Sequence, residues 1–580
     1  MNKRDTVQHT RGLLKHFLWY RVGYAITCAA MFLSGGPLAE VIRDGTIGPD
    51  RLIQPTGPDF KIPAEFGAQR GPNLFHSFGE FNLSKNQSAT FFAIDGVDNI
   101  IARVTGSSAS TIDGPLRAKA SADLDLLNPH GILFGPNAEL DLQGAFYVST
   151  TEGLEFSNGE VFSAVPDDGA PLLSTATPSQ FGFLSPASAP IELQGSAIKS
   201  AHDVTLNAGV IALSGGATIT TATGRPDSGV AVSLTATERI VLSGTRENGT
   251  GAGLDVGSRE DGAAGAIRIE APEVELRDGA RIRLQANMRL TVDADLVQLI
   301  DPVLTLQDGA AKEANTGGSS TSGGGTLTVT ATDQLILSGA DGNGFPSSLQ
   351  TIANGEGPGD TLRVEASTIE LRDGALLTAD SAGASAASTP GVPDSSTSEA
   401  NIAIDVRAGQ RLTLSGTNGY GLGSRIKTTA FERGEGRNIV IKAPIMQLMD
   451  SATISSASFG TNEPGSILIN AGQSVDLASG SQITSSSQTA NKGGNITIDA
   501  GNLLRMRDSS ISADVGSGDG IAGNIRLAQN VLLLDGSNIT AHADRGRDGK
   551  IDITAQSLFK SQDSVIDGDI VAPAADFTHD

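Results

Sequence analysis

Between residues 436 and 570 one pattern returns five times: "GRNIVIKAPIMQLMDSATISSAS", "GSILINAGQSVDLASGSQITSSS", "GNITIDAGNLLRMRDSSISADV", "GNIRLAQNVLLLDGSNITAHA" and "GKIDITAQSLFKSQDSVIDGDI". The leading isoleucines, Ile439, Ile467, Ile496, Ile525 and Ile551, stand 28, 29, 29 and 26 residues apart. Each copy alternates apolar and polar residues, which is the period of a strand with one buried face. Two earlier copies, "GAIRIEAPEVELRDGARIRL" and "DTLRVEASTIELRDGALLTAD", begin at residues 265 and 360. A coil of three short strands and three turns uses about twenty to thirty residues, so the period predicts a right-handed parallel β-helix. Ile467, Ile496 and Ile525 are then expected to stack at about 4.8 Å per coil, and roughly thirteen coils give a rod of roughly 60 Å. A β-propeller needs longer blades richer in aromatic residues. With 4% aromatic residues and 71 glycines, this chain has the composition of a thin, repetitive core instead.

The remaining organisation follows from what interrupts the period. "EANTGGSSTSGGG" (313–325) and "SAGASAASTPGVPDSSTSEA" (381–400) are low in complexity, yet strands resume after each, so they are expected as surface loops on the rod. The Pro- and Ser-rich residues 162–190 are expected to divide an N-terminal module, 40–190, from the rod, 191–570; residues 571–580 form a tail. Residues 1–39 are expected to be a signal peptide, with a basic stretch before the apolar run "YAITCAAMFL" and cleavage after Ala39; a single membrane anchor is the alternative. Cys28, the only cysteine, lies in that segment, so the expected mature chain has no disulfide and no thiolate. Its formal charge is about −28, from 36 basic and 64 acidic residues, which argues against nucleic acid and anionic membranes as partners.

Residues 40–160 hold half of the chain's 20 phenylalanines. Phe75, Phe78, Phe81, Phe91 and Phe92 fall close together in "NLFHSFGEFNLSKNQSATFFA", and are expected to form an aromatic cluster in a β-rich cap. Such a cap would cover the unpaired backbone at an open β-helix end. In "LLNPHGILFGPNAELDLQGAFYVSTT" (126–151) two Asn/Pro breaks interrupt apolar strands. Asn128, Pro129, His130 and Gly131 suit a tight corner ahead of Ile132: Pro pre-sets φ and Gly tolerates a positive φ. Gly135, Pro136 and Asn137 suit the next one.

Three blocks, "NLFHSFGEFN", "RVTGSSASTIDG" and "NPHGILFGPNAELDLQGAF", together resemble the haemagglutination-activity, or two-partner secretion, domain of filamentous-haemagglutinin-like exoproteins. Residues 128–132 resemble that family's Asn-Pro-Asn-Gly-Ile motif, with His130 replacing Asn. Where the family has Asn-Pro-Asn-Leu, this chain reads "GVDNII" at 96–101. The resemblance implies a right-handed β-helix, Sec export, and passage through a dedicated outer-membrane transporter with periplasmic POTRA domains. It also implies a secreted or surface location on a Gram-negative bacterium and, commonly, adhesion to a host or neighbouring-cell receptor or glycan. Residues 128–132 are accordingly the expected secretion motif, either through their corner geometry or through transporter contact.

Parallel β-helices also carry polysaccharide lyases and hydrolases, whose sites need clustered carboxylates. Here the Asp-Gly pairs at 278–279, 308–309, 373–374 and 535–536 recur at equivalent turns, where Asp fits the backbone. His76, His130, His202, His542 and His579 show no metal-ligand spacing, and His76 and His130 are expected to hydrogen-bond within the cap. No catalytic residue, metal or cofactor is expected. The reading is an exported adhesin or aggregation factor, with a polysaccharide-cleaving β-helix as the alternative.

Overall fold

The computed structural model describes residues 40–578 except 50–52, 166–170, 183–188, 224–229, 259–265, 288–296, 308–310, 318–325, 354–360, 383–400, 432–433, 435, 461, 489–491, 517–518 and 572–576. The expected signal peptide therefore lies outside the described residues. Residues 41–580 form one unit, and among its described residues every regular element except the 3₁₀ turn Ala64–Phe66 is a strand.

The unit is a parallel β-helix. Its registers join into one column: Leu74 pairs with Ile100, Ile100 with Leu124, Leu124 with Phe146 and Phe146 with Val204. The column continues from Val204 through Val232 and Ile267. At its far end Ile439, Ile467, Ile496, Ile525, Ile551 and Ile570 follow one another. The spacing of the isoleucines along the chain is thus their stacking in space. Two faces of the helix run together as a 27-stranded sheet; the third is a 4-stranded sheet in the first coils and a 13-stranded sheet beyond. Residues pointing inward form one apolar cluster from Val41 to Leu558.

Corners are built by local chemistry. Asp278 (φ 55°) precedes Gly279 (φ 71°), and Asp373 (φ 55°) precedes Gly374 (φ 86°), so these pairs take the left-handed backbone that Gly and Asp tolerate best. Gly536 also has a positive φ, 57°, whereas Asp308–Gly309 lies outside the described residues. At another corner an acid or amide accepts a backbone N–H from the next coil. Asp123 Oδ1 takes Ala145 N at 2.8 Å, Asp203 Oδ1 takes Ala231 N at 2.8 Å, and Asn438 Oδ1 takes Ser466 N at 2.8 Å.

Three boundaries differ from expectation. The stack runs through the expected break at 162–190: Ile132–Phe134 pairs directly with Ile191–Gln194. Between the rungs Phe146–Ser149 and Ile191–Gln194 the described residues form an insertion at one corner, carrying the antiparallel strands Gly153–Phe156, Val161–Ser163 and Pro178–Gly182. Ala311–Gly317 is a strand of the third face, paired with Arg281–Asn287 and Ser348–Ala353, so residues 313–317 of the expected loop are strand, and 318–325 lie outside the described residues. A polar segment can complete a ladder when both neighbours fix its register. Phe577–Thr578 pairs with Leu558 and Phe559, so the tail prolongs the stack.

Candidate functional site in the N-terminal coils

The first rung, Asn73–Phe81, has the next rung, Asn99–Val104, on one side and two antiparallel strands on the other. Val41–Arg43 covers its end from Phe78 to Phe81, and Ala68–Arg70 covers Asn73 to Phe75. The backbone edge that an open helix end would present is therefore paired.

One coil further on, Asp123–Leu127 turns through Asn128–Gly131 into Ile132–Phe134. Asn128 is fully buried. Its Nδ2 donates to Ser108 O at 3.1 Å and to Ser110 Oγ at 3.0 Å, while its Oδ1 accepts from His130 N at 2.9 Å. Gly131 N closes the turn on Asn128 O at 3.1 Å. Gly131 has φ 112°, and an added Cβ would stand 3.2 Å from Pro190 O, at the base of the insertion. Ile132 enters the core. His130 is exposed and contributes its backbone N–H, so the expected cap hydrogen bond is made by its main chain. In the folded chain the amide of Asn128 is spent inside the corner, and Pro129 and His130 are what solvent reaches.

The five phenylalanines divide into separate groups and do not form one cluster. Phe78, Phe81 and Phe91 meet inside the helix, with ring centroids 5.1 to 6.3 Å apart. Phe75 points to the other side and packs on Phe162 (4.9 Å) and Phe156 (6.1 Å) of the insertion. Phe92 is 36% exposed and belongs to neither group. His76 lies inward between Phe78 and Phe91. Its Nε2 is buried without a hydrogen-bond partner among the described residues, contrary to expectation. Burial, with the nearby Arg43 charge, lowers its pKa to about 3, so it is a neutral ring in an apolar site.

The insertion makes a second core on the outside of the first coils. Phe156 and Phe162 cover Phe75, Ile101 and Leu127. Arg103, 2% exposed, ties this layer down. Its Nε donates to Ser77 Oγ at 2.8 Å, Nη2 to Thr46 Oγ1 at 2.9 Å and Nη1 to Ser163 O, while the guanidinium lies 4.9 Å from the Phe162 centroid. Asp44 accepts from Ser77 Oγ (2.6 Å), Thr105 Oγ1 (2.7 Å) and Thr46 N (2.9 Å). Burial acts to raise the Asp44 pKa, but these hydrogen bonds outweigh it and hold the group below its ordinary value. The signal for Arg103 in the sequence is an arginine inside the apolar run "IIARV". A charge there must be hydrogen-bonded on several sides.

A second buried polar group stands on the next rung, where Asp125 pairs in register with Ile101. Asp125 is 3% exposed, and burial followed by repulsion from Asp123 pushes its pKa well above the usual range. It pairs in register with Tyr147, whose pKa is raised to about 12 by burial and by Asp123, Asp125 and Asp203. Among the described residues no group of three His, Asp or Glu side chains is placed to hold a metal.

The family model of the TPS secretion domain matches residues 39–271, which takes in the capped rung, the Asn128 corner, the insertion and the coils up to Ala271. A solved structure found by comparison is the HMW1 secretion domain from Haemophilus influenzae. It is 13% identical over 91% of this chain and 96% of that chain, with a TM-score of 0.25. At that score the superposition carries no argument, and the fold stands on its own strand register. No curated protein matches the chain.

Proposed function

We infer, for this two-partner secretion exoprotein with its TPS secretion domain at residues 39–271, that export through a cognate outer-membrane transporter delivers an adhesin or aggregation factor to the cell exterior. The family match over the capped N-terminal coils carries the reading. In the proposed route residues 1–39 direct Sec export and are removed, and POTRA domains of the transporter receive the N-terminal coils. A chain without disulfides can thread the pore unfolded. Each new coil then finds the edge of the previous one as its template, and folding outside draws the rest forward. The function outside the cell is binding, through strand faces and corner loops.

The test is secretion of the full chain with and without the transporter, scored as protein in the medium. An Asn128→Ala, Gly131→Ala variant runs alongside. Transporter-dependent release is expected, and the variant is expected to be released at least ~10-fold less, because it loses a buried amide network and a positive-φ glycine. Equal release without the transporter would overturn the reading.

A further inference from the structure

Three corners between the second and third faces carry the same rigid loop. Each begins Leu-Ser-Gly, at 242–244, 337–339 and 414–416. Each is closed by an antiparallel bridge: Thr245 to Gly251, Ala340 to Pro346, and Thr417 to Gly423. Inside each, one backbone pair repeats at 2.8–2.9 Å: Arg246 N to Thr250 O, Asp341 N to Phe345 O, and Asn418 N to Leu422 O. In the second loop Asp341 Oδ1 accepts from the backbone N–H of Asn343 and Phe345, at 2.9 Å each. In the third Asn418 Oδ1 accepts from Tyr420 and Leu422, at 3.0 Å each. A constant scaffold thus presents variable tips, as recognition loops do.

The tips differ in chemistry. The first offers Glu247, Asn248 and Thr250, while Arg246 turns back to donate to Gly195 O and Ser196 O. The second and third offer Phe345 (58% exposed), Tyr420 (67%) and Leu422 (45%). These two form one surface, because Tyr420 reaches back to the neighbouring loop: a Cβ added to Gly344 would stand 2.4 Å from its ring. Beneath them, a Cβ on Gly374 would stand 2.7 Å from Asn418 Cβ, so the short corner between the loops seats the third against the stack. Asn418 Nδ2 is buried at the base without a partner among the described residues.

We propose that the paired loops 339–347 and 416–424 form a binding platform for a neutral pyranose-containing glycan. The proposal rests on the adhesin reading above and names its ligand class. An exposed ring held rigidly offers a π-face to the apolar C–H face of a sugar at little entropic cost. Charge selects within the glycans. The ionisable side chains of the two tips are Asp341 and Tyr420, with no cation, on a chain of net charge −24, so a uronate or sialate polymer is repelled. A cationic peptide finds little to hold it, since Asp341 Oδ1 is already occupied by two backbone donors. Rings, amides and hydroxyls remain, and these suit a sugar without charge.

Affinity electrophoresis of the purified full-length protein tests this, in gels containing a neutral β-glucan, a neutral mannan, or polygalacturonate. Retardation by at least one neutral polymer is expected. Phe345→Ala with Tyr420→Ala should weaken it at least ~10-fold, at unchanged circular dichroism because both rings are exposed. Gly344→Ala should weaken it too, by displacing the Tyr420 ring. Glu247→Ala, at the exposed tip of the matched polar loop, should leave it unchanged. No retardation by either neutral polymer, retardation by polygalacturonate alone, or full retardation of the double variant would each overturn the proposal. Secretion of the same variants separates the two readings, since the platform can fail while transporter-dependent release persists.

Discussion

The first coils and the last coils share one register but are stabilised in different ways. The largest fully buried side chains, Arg103 and Phe75 through Phe162, together with Ile62 and Leu74, all belong to the N-terminal coils. There, contacts join distant parts of the chain, such as Arg103 to Ser163 and Asn73 Nδ2 to Ser174 O at 3.0 Å. In the coils from Ile439 to Ile551 the same residue type recurs at the same place, and partners lie one coil away. Thr428 Oγ1 donates to Ser456 Oγ at 3.1 Å, and Ser509 and Ser537 hydroxyls meet at 3.4 Å. The late coils are interchangeable units bonded to nearest neighbours; the early ones are a single object.

Removing whole coils breaks this comparison most severely if it is wrong. Excising residues 467–495 should join Ser466 to Ile496 in register and leave a folded, secreted rod one rung shorter. Excising residues 100–123 should abolish folding and secretion, because Ile101 and Arg103 leave with it. Limited proteolysis and the amount in the medium distinguish the two, and equal tolerance would erase the contrast. Next in size is Arg103→Met, which unpairs a buried network and should cost the N-terminal coils about 3 kcal/mol in denaturant unfolding. Neutral His76 sharpens the comparison through pH. In the folded chain it resists protonation down to about pH 3, whereas in the unfolded chain it titrates near its ordinary value. The unfolded state therefore gains the proton as pH falls from about 6.5, and stability drops by about 2 kcal/mol between pH 7 and pH 5. His76→Leu should remove that part of the pH dependence. Asp125 acts in the opposite sense, since its raised pKa lets the folded state take a proton first. The smallest effect belongs to the late coils. Ser451, held at φ 62°, should accept glycine with a gain of about 1 kcal/mol, seen as a small rise in the unfolding midpoint.

The late coils were legible because one period encodes both strand and stacking: the interval from Ile467 to Ile496 is one turn of the helix. The Asn128 corner was legible from Pro and Gly alone. The insertion was not, since Pro- and Ser-rich residues mark a departure from the stack without saying whether the stack resumes. Parity would have parted Phe75 from Phe78 and Phe92 from Phe91, but it would have misplaced Phe81, which is odd like Phe75 and yet lies inside with Phe78. Proximity in sequence was the weaker guide. The paired loops escaped because their likeness lies in backbone hydrogen bonds, and their tips share little beyond glycine.

Arg103 also sets a clock. Three of its hydrogen-bond partners are Thr46, Ser77 and Ser163. On the proposed route, with the N-terminus leaving first, the chain cannot complete that set until residue 163 has passed the pore. Before then, the outer faces of Phe75, Ile101 and Leu127 are bare; afterwards Phe156 and Phe162 close over them. The molecule thus has a chain length at which its first coils commit, written into the position of one arginine.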